Sequence, residues 1–166
     1  MLKLFLLRHA QAVNGFDIAD KDRALTEYGI NQSKELAAHI QGVDLCLCSD
    51  AMRTRMTYDG LIERGAGSKK ISYRDALYNA PAGTLLDAIQ NADDNTSDVK
   101  SILLIAHNPG IHQLVNILAK DDGSKEREHL RYDYAPASLT VLDCPVQAWG
   151  DIKPSDNNLT KFIMGC

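Results

Sequence analysis

Residues 101–110 read Ser-Ile-Leu-Leu-Ile-Ala-His-Asn-Pro-Gly, and this stretch decides the fold class. Ser101–Ala106 carries no charge and is rich in branched aliphatic residues, the pattern of a short strand buried on both faces. Asn108 suits a helix N-cap and Pro109 the first helical position, so a helix is predicted from there to about Lys120. The strand thus hands the chain directly to a helix, with His107 at the junction.

Working outward, the same pattern recurs. Leu2–Leu7 is an apolar run interrupted only by Lys3, and Val43–Cys48 is another, interrupted only by Asp44. Thr26 fits an N-cap, Glu27 falls in the first turn, and Ile30, Leu36, Ala37 and Ile40 keep a helical period until Gly42. Ala51 to about Arg64 reads as a second helix, closed by Gly65. Ile71–Tyr73 is a short predicted strand, and Thr84-Leu-Leu-Asp87 resembles a capping box opening a helix towards Gln90. Asn91–Lys100 is polar and reads as a surface loop. Leu139–Leu142 and Leu159–Ile163 are the last predicted strands. Asp121–Pro136 has no clear periodicity and reads as a solvated connection or part of a substrate rim. Strands alternating with helices predict an α/β fold of three layers, α/β/α, around a mostly parallel central sheet.

Composition narrows the function classes. The 166 residues contain no repeat, low-complexity tract or linker, so a single domain, 1–166, is expected. A net charge of −4 argues against nucleic acid as a partner. No apolar run approaches the ~20 residues of a membrane helix, and the first apolar run is too short for a signal peptide, which points to a cytoplasmic protein. Cys46, Cys48, Cys144 and Cys166 lack metal or redox spacing and read as reduced thiols, Cys46 and Cys48 on one face of a strand. His39, His112 and His129 show no metal spacing either, so no metal and no cofactor are expected. Nothing suggests an oligomer, and a monomer is the expectation.

The residues at the ends of the three apolar runs carry the chemistry. The first run ends in Arg8-His9, the second leads through Ser49-Asp-Ala-Met to Arg53, and the third ends in His107. In open α/β sheets ligands bind beyond the carboxyl ends of the strands. If these strands are neighbours, two arginines and two histidines meet there, beside helix N-termini that favour an anion. A buried arginine cannot shed its charge and needs an anion, so the predicted ligand is a phosphate or sulfate group. A neutral His9 could attack phosphorus, with Arg8 and Arg53 holding the nonbridging oxygens and His107 donating from the other side.

These motifs resemble the histidine phosphatase superfamily. Leu7-Arg8-His9-Ala10 is similar to its Arg-His motif, and Leu25-Thr26-Glu27-Tyr28-Gly29 to the Leu-Thr-x-x-Gly after it. Ser49-Asp-Ala-Met-Arg53-Thr54-Arg-Met-Thr57 resembles the Ser-Pro-x-x-Arg segment, with Asp50 in place of proline. Ala106-His107-Asn108-Pro109-Gly110 resembles the second histidine block. The likeness implies a phosphoglycerate mutase-like fold, and catalytic roles for Arg8, His9, Arg53 and His107. Within the superfamily the chain looks most like the small SixA-type phosphohistidine phosphatases. On that likeness Asp20-Lys-Asp-Arg23 lies near the site, with Arg23 as a third arginine and Asp20 as a substrate-side residue or acid. An exposed loop charge is the other reading of Asp20.

Mutase-type members carry a mid-chain glutamate as general acid, whereas the matching Leu77-Tyr78-Asn79-Ala80-Pro81 has no carboxylate, and Asp75 and Asp87 read as surface residues. Without such an acid an alkoxide leaves slowly, while the imidazole of a phosphohistidine leaves more readily. The expected substrate is therefore a phosphorylated protein, a phosphohistidine domain. The alternatives are a small phosphorylated substrate such as an ester or nucleotide, or a non-catalytic phosphate-binding module.

Overall fold

A computed structural model of the chain describes residues 1–92 and 98–166, so the expected loop Asn91–Lys100 lies partly outside the described residues. The elements are β1 (Leu2–Arg8), α1 (Glu27–Leu36), β2 (Val43–Ser49), α2 (Met52–Glu63), β3 (Ser68–Arg74), α3 (Ala82–Gln90) and β4 (Ser101–Ala106). They are followed by α4 (Gly110–Leu118), α5 (Lys125–Tyr132), β5 (Leu139–Cys144) and β6 (Asn158–Ile163).

One six-stranded sheet runs in the order β3-β2-β4-β1-β5-β6. The first four strands are parallel, and β5 and then β6 are added antiparallel to their neighbours. The sheet is mostly parallel, as expected. Leu6 of β1 and Leu47 of β2 both register with Leu104 of β4, between them. That register brings the carboxyl ends of β1, β4 and β2 side by side, which is where the candidate residues emerge.

The pleat explains why these strands are apolar at nearly every position. Leu4, Leu6, Leu45, Leu47, Ile102 and Leu104 pack with Leu85, Ile89, Ile111 and Leu114 of α3 and α4. Phe5, Leu7, Cys46, Cys48, Leu103 and Ile105 face the other way, onto Leu36 of α1 and Tyr58 and Leu61 of α2. Each fully buried side chain of this size contributes about 1.5–3 kcal/mol, so both faces hold the central strands in place. Cys46 and Cys48 share a face and behave as small hydrophobes. Among the described residues no helix is long and apolar enough to cross a membrane.

Several local expectations are corrected. Thr26 caps α1, its hydroxyl accepting from Gly29 N, but the α-helix ends at Leu36 and continues to His39 as a 3-10 turn. β3 is longer than Ile71–Tyr73 because it pairs along the whole of β2. α3 starts at Ala82 behind Pro81, which places Thr84 inside the helix, not at its cap. Asn108 does not cap α4: the helix starts at Gly110, the Asn108–Pro109 peptide is cis, and the Asn108 amide donates to the Tyr134 carbonyl at 2.9 Å.

The Asp121–Pro136 segment, aperiodic in sequence, contains α5, capped by Ser124. Leu130 is its one buried apolar residue, too little to give a helical period. Its other buried side chain is Arg127, which donates to the Asn116 side chain at 2.8 Å and the Asn116 carbonyl at 3.1 Å. A cation at the carbonyl end of α4 replaces the apolar contacts that a sequence pattern would reveal.

Candidate active site

His9 follows β1 directly, and its backbone is clamped on both sides. Its N–H donates to the Ala106 carbonyl on β4, and its carbonyl accepts from Ala137 N. The next residue, Ala10, donates its N–H to Thr57 of α2 at 3.0 Å. Within the ring, Nδ1 donates to the Ala10 carbonyl at 2.8 Å, because a carbonyl can only accept. Nε2 is thereby left with its lone pair. Burial pushes the His9 pKa down to about 3, and the charges of Arg53, Arg8 and Arg23 add to the shift. Desolvation is thus the larger cause of the neutral imidazole, ahead of the arginine charges.

His107 leaves β4 next door, its ring centroid 5.2 Å from that of His9. It is 2% exposed, and burial followed by the proximity of His9 and Arg53 pushes its pKa down to about 3. Its Nε2 is 2.7 Å from the Ser49 hydroxyl at the end of β2. Both histidines are neutral at pH 7.

Arg8 emerges from β1 and donates through Nη1 to the Tyr134 carbonyl at 2.9 Å. Arg53 is not at a strand end but in the first turn of α2, four residues beyond β2, and is buried. Its two terminal nitrogens go to Asp20: Nη1 donates to the backbone carbonyl at 2.7 Å, Nη2 to the carboxylate at 3.2 Å. Arg23 reaches the same carboxylate at 2.8 Å and anchors its Nε on the Val13 carbonyl.

Asp20 is therefore neither a plain exposed loop charge nor placed as a proton donor. The Tyr78 hydroxyl donates to it, and with Arg23 and Arg53 holds its carboxyl well below the usual carboxylate range. It stays ionised at neutral pH and orders the two arginines. Lys21 pairs with Asp75, so the connection from β1 to α1 is tied to the one between β3 and α3. Asp75 and Asp87 are exposed.

The structure thus brings Arg8, His9, Arg23, Arg53, His107 and Asp20 to one edge of the sheet. It also brings Tyr78, which a search for a carboxylate in that part of the sequence passes over. The Tyr78 ring stands edge-on to His107, centroids 5.6 Å apart, and the Arg53 guanidinium lies 5.8 Å from its centre. Thr57 lies in the same motif as Arg53 but was not expected at the site. Its hydroxyl donates to the Arg53 carbonyl and accepts from Ala10 N, joining the arginine to the histidine loop. The four-residue interval between Arg53 and Thr57 on one helix face was the signal available.

Two glycines of the motifs hold these loops close. A Cβ at Gly29 would lie 2.1 Å from the Gln11 carbonyl oxygen, two residues after His9. One at Gly110 would lie 1.9 Å from the Ala80 carbonyl oxygen, two residues after Tyr78.

Two histidines, three arginines and an ordered carboxylate gathered at one edge of the sheet invite comparison with known proteins. Residues 4–85, which include Arg8, His9, Arg23 and Arg53, match the histidine phosphatase superfamily (branch 1). An uncharacterized protein of Mycobacterium tuberculosis is 30% identical over 162 residues, 94% of this chain and 98% of the relative. This chain belongs to the histidine phosphatase superfamily.

Within the superfamily its likeness is to the SixA type. The structure of "Putative Phosphohistidine Phosphatase SixA" from Nakamurella multipartitia superposes with a TM-score of 0.81 at 27% identity, covering 98% of this chain and 95% of that one. Its counterpart from Agrobacterium tumefaciens, described in the same words, gives 0.78 at 27% identity and 99% coverage of both chains. A protein histidine phosphatase SixA complexed with tungstate gives 0.76 at 17% identity, a likeness of fold. The phosphoglycerate mutase-like α/β fold is therefore shared along nearly the whole chain.

Proposed function

We propose that this histidine phosphatase removes phosphate from phosphohistidine on a phosphotransfer protein, through a phosphorylated His9. The observation that carries the reading is the state of His9. Its imidazole is neutral, its Nδ1 is tied to Ala10, and its free Nε2 stands among arginines. His9 Nε2 attacks phosphorus as the substrate P–N bond breaks, and the departing imidazole keeps the electron pair and takes a proton from solvent. Arg8, Arg53 and Arg23 balance the charge of the phosphoryl oxygens, and His107 donates a hydrogen bond to one of them. Water then attacks phosphorus, the P–Nε2 bond breaks, and inorganic phosphate leaves with His9 restored. No step is routed through a metal or cofactor.

Three features favour a protein-borne phosphohistidine over a small ester. Asp20, a carboxylate at the site, is ionised and occupied by arginines, so it cannot protonate an alkoxide. The SixA-type relatives share the fold over nearly the full length at 27% identity. Phe16 and Ile18, both exposed, lie on the connection that carries Asp20 and Arg23, an apolar edge suited to a protein-borne phosphate. The enzyme is proposed to act as a cytoplasmic monomer.

A small phosphate ester is the second reading, favoured by the Tyr78 hydroxyl, a neutral O–H at the site. Phosphate release from a phosphohistidine protein, an aryl phosphate and a sugar phosphate separates the readings. Preference for phosphohistidine, lost in His9→Ala, is the expected result. Preference for a small ester that still needs His9 would move the substrate, and no His9-dependent release would leave a phosphate-binding module.

A further inference from the structure

Ser49 ends β2 beside His107, with no exposed surface of its own. Its hydroxyl lies 2.7 Å from His107 Nε2. The other ring nitrogen, Nδ1, is buried and has no hydrogen-bond partner among the described residues. A neutral imidazole carries one proton, on one nitrogen or the other, and its position decides what His107 can offer a ligand.

Consider the two tautomers in turn. If Nε2 held the proton, it would donate to Ser49, and the serine proton would need an acceptor elsewhere. The hydroxyl makes no second hydrogen bond among the described residues. Nδ1 would then offer only a lone pair, which a phosphoryl oxygen repels. If Nδ1 holds the proton, Ser49 donates to Nε2 and both of those groups are satisfied. One donor, Nδ1–H, is left over, and it is a group that an anion can take. Buried polar groups are nearly always paired, so the second arrangement is the stable one.

The serine is held for this task. Its carbonyl accepts from the Thr54 hydroxyl at 2.6 Å, which pins the end of β2 to the first turns of α2. The β2–β4 pairing fixes the strand against the one that carries His107.

We propose that Ser49 is a positioning residue that locks His107 as its Nδ1–H tautomer and so reserves one N–H donor for a phosphoryl oxygen. The inference rests on the phosphatase reading for its purpose, but not for its geometry. A serine at this strand end therefore acts on the ligand without touching it, through the proton it places.

The test uses the full chain with ¹⁵N-labelled histidine. Long-range ¹H–¹⁵N spectra read the His107 tautomer, assigned by difference from His107→Gln, in wild type, Ser49→Ala and Ser49→Thr. Affinity for inorganic phosphate and kcat/KM on a phosphohistidine protein are measured alongside. Wild type is expected as Nδ1–H. Ser49→Ala is expected to shift towards Nε2–H and to lose about tenfold or more in both phosphate affinity and kcat/KM. Ser49→Thr keeps the hydroxyl and is expected to restore the tautomer and most of the affinity. A wild-type Nε2–H tautomer overturns the proposal whatever the variants do. So does a Ser49→Ala protein that keeps Nδ1–H and binds phosphate within threefold of wild type. If tautomer and phosphate affinity follow Ser49 while no substrate is turned over, the phosphatase reading fails and the Ser49 assignment stands.

Discussion

Asp20 holds Arg53 twice, by its backbone carbonyl at 2.7 Å and by its carboxylate at 3.2 Å. An incoming phosphoryl group asks for the same guanidinium, so the carboxylate is both an organiser and a competitor. Asp20→Asn is expected to bind inorganic phosphate at least about threefold more tightly, since a neutral amide competes less for a guanidinium than an anion does. Isothermal titration at pH 7 checks this. Weaker binding would instead place Asp20 on the side of the phosphate, as a proton carrier.

Arg53 is buried and its planar fork matches phosphoryl geometry. Arg53→Ala is expected to cost about 10²-fold or more in kcat/KM, as for other deleted transition-state donors. Arg53→Lys is expected to recover little, because a point charge cannot reproduce two parallel N–H bonds. Steady-state kinetics on a phosphohistidine protein decides, and a loss under threefold would mean that Arg53 serves only Asp20.

The two histidines set a pH signature. Their pKa values fall from 6.5 in the unfolded chain to about 3 in the fold. Between those values the unfolded chain binds more protons, so stability rises with pH across the window and is lost as pH falls through it. Each histidine is expected to remove about 1 kcal/mol per pH unit below pH 6. Urea midpoints at pH 7 and pH 4.5 should differ more for wild type than for His9→Gln. In the same range kcat/KM should show no step from His9 near pH 6.5, because His9 of the free enzyme stays neutral.

Tyr78→Phe keeps the edge contact with His107 and removes the hydrogen bond to Asp20. That bond is the largest cause of the depressed Asp20 carboxyl, which should therefore titrate at higher pH in the variant. The shift is readable by carboxyl ¹³C chemical shifts. Turnover of phosphohistidine should stay within about fivefold. A much larger loss confined to alkyl esters would identify the hydroxyl as their proton source.

Gly110→Ala would place a methyl carbon 1.9 Å from the Ala80 carbonyl oxygen, a backbone atom that can only move with its loop. The variant is expected to lose about 1–3 kcal/mol, seen as a lower thermal midpoint. Activity should fall with it, because Tyr78 rides on the displaced loop.

By itself the sequence determined the strands and their chemistry. Leu2–Leu7, Val43–Cys48 and Ser101–Ala106 are buried on both faces, so nearly every position in them is apolar, and that pattern marks them without structural help. Residues placed by the ends of such strands, Arg8, His9 and His107, were legible for the same reason. The tertiary structure decided what depends on partners far along the chain. Helix α5 is held by Arg127 on Asn116 and by a single buried leucine, which leaves no period to read. Tyr78 joins the site because Asp20, 58 residues earlier, receives its hydrogen bond. Ser49 meets His107 across the same interval because β2 and β4 are neighbours in the sheet. Local composition fixes which segments are buried, but a proton's position is set by two side chains meeting, and only the packed sheet brings them together.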